Sequence, residues 1–209
     1  IHPTMDPENT IKDACFDFIC VGEGEYALLE LIEKLEKGSE PDQIDNIWYK
    51  KNATIIRNTL RPFVNLSNLP QKDYEIFDFQ KMIDARDGWI GIMASRGCPF
   101  HCTYCFNHLF NKTFRDCGPI VRKKKVSTLL DEISRVRAEF PFDIVVFQDD
   151  TFIIDKEWLA EFATAFPRDI GLAFTCNIRA NLISEELFEE ILHRHEPDQT
   201  AVLVEHERD

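Results

Sequence analysis

Three cysteines carry the strongest chemical signal in this sequence. Cys98-Pro-Phe-His-Cys102-Thr-Tyr-Cys105 has the spacing C-x3-C-x2-C. Thiolates this close can hold one metal centre from a single loop. Iron–sulfur clusters are held by cysteine thiolates, four of them in the usual four-iron case. A three-cysteine loop therefore leaves one iron open to a ligand other than protein. Zinc is the competing chemistry. Structural zinc takes four protein ligands, and His101, His108 or Cys117 could supply the fourth. Spacing favours iron–sulfur over zinc and over chance clustering.

The elements around the loop decide what else can reach it. The apolar run Trp89-Ile-Gly-Ile-Met-Ala94 leads directly into Arg96-Gly97-Cys98. A helix is predicted over about 127–140, with Ser127 as N-cap and Leu129, Leu130, Ile133, Val136 and Phe140 on its apolar face. Phe142–Phe147 reads as a strand. A helix over about 156–166 follows, capped by Asp155, with Leu159, Phe162, Ala163 and Phe166 inward. Gly171–Cys176 is a third strand. Ser184 caps a further helix carrying Leu187, Phe188, Ile191 and Leu192, and Thr200–Val204 is a fourth strand. Near-continuous apolar strands alternating with helices predict a parallel sheet covered by helices. Ligands of such sheets gather at the carboxyl ends of the strands.

Polar residues fall at those ends. The second strand runs into Gln148-Asp149-Asp150-Thr151, the third into Cys176-Asn-Ile-Arg179, the fourth into Glu205-His-Glu207. Asp149 or Asp150 could hold an ammonium group by charge-assisted hydrogen bonds, and Arg179 could grip a carboxylate bidentately. Together they suit the amino-acid end of a zwitterion. Glu205 could accept from ribose hydroxyls. Each acid is otherwise a cap or a solvated surface group. Arg122-Lys-Lys-Lys125 is expected as a solvated lead-in to a helix. Cys15, Cys20, Cys117 and Cys176 are expected as small packing residues.

The front of the chain differs. Phe16–Val21 is a short apolar strand ending at Gly22-Glu-Gly-Glu25. The next helix places Leu28, Leu31, Ile32 and Leu35 on one face, expected to be buried, with Gly38 as terminator. One strand–helix unit cannot cover its strand on both sides, so sheet partners are expected before residue 1. Residues 41–88 read as a connector. Ile47-Trp-Tyr-Lys and Thr54-Ile-Ile-Arg57 flank a hairpin turn, and Pro62 and Pro70 mark extended chain. The expected domains are 1–40, 41–88 and 89–209. Both ends look like cuts in a longer protein.

The charge balance narrows the partners. A net charge of −13 argues against nucleic-acid binding driven by overall charge. No window has the apolar length to cross a bilayer. An odd number of cysteines (seven), with no visible secretory signal, favours reduced thiols in the cytoplasm.

Arg96-Gly-Cys98-Pro-Phe-His-Cys102-Thr-Tyr-Cys105 resembles the cysteine loop of radical S-adenosylmethionine (SAM) enzymes, and the βα repeat behind it resembles their partial (β/α)6 barrel. His2-Pro-Thr, Pro7-Glu8, the Val-Gly-Glu-Gly-Glu25 segment and the stretch from Asn68 to Asp78 resemble the subclass in which a cobalamin-binding domain precedes that barrel. The resemblance implies an α/β fold. It would comprise the C-terminal remnant of a Rossmann-like cobalamin-binding domain and the first four strands of the radical SAM core. It implies a [4Fe–4S] cluster on Cys98, Cys102 and Cys105. SAM contacts are implied at Tyr104 (adenine), Asp149, Asp150, Arg179 and Glu205. Asp-Asp stands where the family usually has Gly-Gly-Glu, and Glu-His-Glu where it has Glu-Ser-Gly. Cobalamin is implied for the parent protein, its cobalt-ligand motif lying before Ile1. In the family, the open iron binds SAM and the reduced cluster cleaves it to methionine and a 5′-deoxyadenosyl radical. The implied partners are a small-molecule substrate and a low-potential flavodoxin- or ferredoxin-type electron donor. The implied outcome is methyl transfer, cyclisation or rearrangement. Two alternatives remain: a radical SAM enzyme with a vestigial cobalamin domain, and a non-catalytic zinc or iron–sulfur module.

Overall fold

A computed structural model describes residues 2–184 and 203–205. In chain order its helices and strands are α1 (His2–Met5), α2 (Pro7–Lys12), β1 (Phe18–Cys20), α3 (Glu25–Glu36), β2 (Ile47–Lys51), β3 (Thr54–Arg57), α4 (Phe79–Asp84), β4 (Trp89–Ile92), β5 (Ser95–Arg96), α5 (Asn107–Thr113), β6 (Arg122–Lys123), α6 (Val126–Glu139), β7 (Ile144–Phe147), α7 (Lys156–Asp169), β8 (Ala173–Arg179) and β9 (Leu203–Glu205). They form two compact units. One comprises Ile1–Val64 and Pro99–Ile120, the other Asn65–Cys98 and Val121–Asp209. The expected connector, 41–88, is thus shared by both, and residues 99–120 leave the segment expected to be continuous.

The first unit holds a three-stranded sheet in the order β1-β2-β3, antiparallel throughout. The expected hairpin forms. Asn52 and Ala53 take φ of 49° and 63°, the left-handed pair that a two-residue I′ turn requires. The sequence points to partners for β1 before residue 1; the observed partner is β2, with Ile19 opposite Trp48. Helices α1 and α2 are not anticipated by the sequence reading, and α2 buries Ile11 against Ile19, Val21 and Phe114. Helix α3 ends as expected: Gly38, at φ 64°, donates to Leu35 O at 3.0 Å. Its apolar face is the larger surprise. Only Ala27 and Leu31 are buried, while Leu28 (54%), Ile32 (44%) and Leu35 (48%) are exposed. Periodicity marks an apolar stripe, but says nothing of what covers it.

The second unit holds the predicted parallel sheet, in the order β4-β7-β8-β9. Strand order follows chain order, with α6 and α7 as the crossovers between the first three strands. The core packs those helices on one sheet face through Leu129, Ile133, Val136, Phe162 and Phe166. Phenylalanines dominate it, with Phe147 and Phe152 centroids 4.7 Å apart and Phe162 and Phe166 centroids 4.9 Å apart. Such ring pairs add about 0.5–1.5 kcal/mol beyond area burial.

The helix ends are mixed. Asp155 caps α7 as expected, accepting from Trp158 N at 3.0 Å. Helix α6 begins at Val126, with Lys125 rather than Ser127 at its N-cap. The Lys125 backbone N–H donates to Ser67 Oγ at 2.9 Å. Helix α4 forms within the stretch expected as a connector. The expected helix carrying Leu187, Phe188, Ile191 and Leu192 lies outside the described residues.

Candidate functional site

Strand alternation sorts the polar residues at the sheet's carboxyl end. Val145, Phe147, Phe174, Cys176 and Ile178 face the helical layer and are buried. Successive side chains alternate between faces, so Gly91 of the first strand lines the opposite face. So do Val146 of the second, and Thr175, Asn177 and Arg179 of the third; Gln148 and Asp150 follow the end of the second. That face is polar towards its carboxyl end. A Cβ on Gly91 would stand 2.7 Å from Gln148 Nε2. Glycine here lets the Gln148 side chain lie across β4.

The cysteine loop leaves this unit through a short stitched neck. Strand β5 pairs antiparallel with β6, Ser95 opposite Lys123 and Arg96 opposite Arg122. The pairing joins the start and end of the excursion from Gly97 to Val121. Gly97 turns the chain at φ 86°. Cys98 follows and is buried; its Sγ lies 3.7 Å from Thr151 Oγ1.

Within the first unit, Cys105 N donates to Cys102 O at 3.1 Å, closing a single turn around Thr103 and Tyr104. Tyr104 is 76% exposed. His108 Nδ1 lies 2.6 Å from Cys105 O. Helix α5 then packs through Phe110, stacked on Phe63 with centroids 6.0 Å apart. Phe114 is buried, and a Cβ on Gly22 would meet its ring at 2.8 Å. The Gly-Glu-Gly-Glu segment therefore serves packing, because Gly22, at φ 99°, admits an aromatic ring from beyond the cysteines.

Asp149 is buried and internally bonded. It is 1% exposed, and its carboxylate accepts from Ala94 N–H at 3.1 Å and from the Ser95 hydroxyl. Burial pushes this carboxyl up; the bonds from Ser95 and Ala94 oppose that shift. Asp149 thus ties the end of β7 to the residues just before the cysteine loop. Asn177 Nδ2 donates to Asp149 O at 3.0 Å, extending the tie to β8. Asp150 is exposed.

Within the basic run Lys123 and Lys124 are partly buried, contrary to expectation, while Lys125 is exposed. Lys123 Nζ donates to Phe152 O at 2.6 Å and sits 3.9 Å from the Trp158 ring centroid. Burial pulls its amine down to about 8. Lys124 pairs with buried Glu132, which also meets Lys72 at 3.3 Å. A carboxylate buried in the middle of α6 is tolerable only when paired in this way.

Arg179 lies at the end of β8, its Nε donating to Asn181 Oδ1 at 3.2 Å, and is in register with Glu205 of β9. Four predicted loci therefore occupy neighbouring strand ends: the residues before Cys98, the Asp149–Asp150 pair, Arg179 and the Glu205 backbone. Sequence reasoning missed Ser95, Lys123 and Thr151. Parity was the available signal for Asp149, which shares the core-facing register of Phe147.

All seven cysteines are outside disulfides. Cys176 and Cys117 belong to cores, and burial pushes the Cys176 thiol up to about 12 and raises that of Cys117. That setting suits packing. The donor set of Cys98, Cys102 and Cys105 fits a thiolate-ligated cluster by chemistry and spacing. Among the described residues no three His, Cys, Asp or Glu side chains already stand in metal-holding geometry. A groove of about 580 Å³ lies at the opposite strand ends, beside Gly88 and Asp143, away from these groups.

No family model matches the chain. An uncharacterized methyltransferase of Pyrococcus horikoshii is 28% identical over 190 residues, covering 89% of this chain and 40% of the relative. An anaerobic magnesium-protoporphyrin IX monomethyl ester cyclase of Synechocystis is 26% identical, covering 87% of this chain and 35% of the relative. Among solved structures, the cobalamin-dependent SAM radical enzyme OxsB, with aqua-cobalamin and SAM bound, has a TM-score of 0.72 at 20% identity. The match covers 98% of this chain and 30% of that one. The radical SAM methyltransferase TsrM of Kitasatospora setae, with cobalamin and a [4Fe–4S] cluster bound, has a TM-score of 0.69 at 13% identity, over 97% and 40%. The chain thus spans well under half the length of these relatives, and its mixed α/β fold is similar to theirs.

Proposed function

We propose that this chain, a relative of the cobalamin-dependent radical SAM enzymes, carries the cluster-binding part of such an enzyme. In this reading Cys98, Cys102 and Cys105 hold a [4Fe–4S] cluster whose fourth iron takes SAM. The observation that carries it is the C-x3-C-x2-C loop at the carboxyl end of the first strand of a parallel βα sheet. Residues 89–209 would be the first four strands of a partial (β/α) barrel. Residues 1–40 would be the remnant of a Rossmann-like cobalamin-binding domain, and 41–88 the connector. When bound, the cluster supplies the electron that breaks a carbon–sulfur bond of SAM.

The chain's own residues bind and orient SAM. Asp150, which is exposed, takes the ammonium, while Asp149 braces the neck of the loop. Arg179 takes the carboxylate, Tyr104 lies against adenine and Glu205 accepts from ribose. The whole protein would use cobalamin, a small-molecule substrate and a flavodoxin- or ferredoxin-type donor. Methyl transfer is the first reading, supported by the name of the P. horikoshii relative; the cyclase relative supports ring closure as the second.

Anaerobic reconstitution of the full-length protein tests the reading. About four irons per chain, with reductant-dependent 5′-deoxyadenosine, is the expected result. Cys98→Ala, Cys102→Ala and Cys105→Ala should each abolish the full cluster. Tight stoichiometric zinc without SAM cleavage would sink the proposal. Retained cobalamin on purification separates a working cobalamin domain from a vestigial one.

A further inference from the structure

Cys98 and Thr151 meet where both side chains are largely buried. They are 7% and 3% exposed, and Sγ and Oγ1 are 3.7 Å apart, within reach of a hydrogen bond to sulfur. The hydroxyl has one proton and a second neighbour, Asp150 O, at 2.8 Å. Neighbouring contacts fix its position. Asp149 is tied to Ala94 and Ser95, and Phe152 N donates to Asn177 O at 3.1 Å. Thr151 is thus held from both sides.

We propose that Thr151 is a tuning residue for Cys98, its hydroxyl donating a hydrogen bond to the Cys98 sulfur when that sulfur ligates the cluster. This rests on the cluster assignment above. A thiol can donate to the hydroxyl, leaving the hydroxyl proton for the Asp150 carbonyl. A ligating thiolate can only accept, so the hydroxyl turns its proton to sulfur. Hydrogen bonds to cluster sulfurs are among the levers that set reduction potential. Such a bond favours the reduced, more negative state and raises the potential.

The test compares the full-length protein with Thr151→Val, which keeps the shape and removes the donor, and Thr151→Ser, which keeps the donor. Thr151→Ala is a second donor-free variant, should the first assemble poorly. Each is reconstituted anaerobically, assayed for iron, and titrated by EPR-monitored reduction without SAM. At equal iron content the donor-free variants should be at least tenfold harder to reduce, about 59 mV lower for a one-electron couple. Thr151→Ser should stay near the unsubstituted protein. Equal potentials in the unsubstituted and donor-free proteins overturn the proposal alone. No cluster in the unsubstituted protein overturns the cluster reading and this proposal with it.

Discussion

At the scale of single residues, the strand ends are held together by buried and half-buried polar side chains that bond to neighbouring groups. Lys123 is the clearest case. Burial pulls its amine down to about 8 from 10.5, against the pull of Asp149 and Asp155. A folded value below the unfolded one means stability is fully present above 10.5 and is lost as pH falls through about 8. The stability of the native protein minus that of Lys123→Met should therefore climb between those limits, measured by urea denaturation across the pH series. The Trp158 ring works the other way, because an aromatic face favours a cation. A flat difference curve would mean the ring had restored the ordinary lysine value. Asp149→Ala should cost about 1–3 kcal/mol, the usual penalty for stranding buried donors, here Ala94 N–H and the Ser95 hydroxyl. A native-like denaturation midpoint would contradict the brace.

At the scale of elements, the repeat from β4 to β8 was readable because each strand is a near-continuous apolar run and each crossover helix keeps a single apolar face. Physical period alone places Leu129, Ile133, Leu159 and Phe162 in the core, and they are there. Helix α3 shows the limit of the same argument. Its leucines repeat with helical period, yet Leu31 is 7% exposed and Leu35 48%. Leu31→Ala should cost about 2–5 kcal/mol, as buried leucines do. Leu35→Gln should stay within about 0.5 kcal/mol, as exposed positions do. Equal losses in chemical denaturation would mean that the stripe is covered after all. The neck of β5 and β6 was not legible: two residues per strand are too few for any periodicity, and its partner in sequence lies beyond the cysteine loop. The basic run misled for a related reason, since charge density does not reveal that Lys123 has an aromatic face and Lys124 a buried glutamate to meet.

At the scale of the whole molecule, the first unit is discontinuous. Its core contains Ile11, Ile19 and Val21 from the front of the chain and Phe114 from beyond the cysteines. Phe110 and Phe114, at helical i,i+4 spacing, were the available sequence signal. Phe114→Ala should destabilise that unit by about 3–5 kcal/mol. Hydrogen exchange resolved by region should show the loss in β1 and β2, with β7 and β8 keeping their protection. Uniform loss in both units would argue for one cooperative block.

The ring that fills the space above Gly22 also sets an order of events during synthesis. The front sheet leaves the ribosome well before the helix that completes its core. Chains emerge at roughly 5–20 residues per second, so the nascent β1–β3 sheet waits several seconds with an open socket. Until then the sheet lacks the ring that fills this space, and the helix that brings it follows directly on the loop that bears the three thiols.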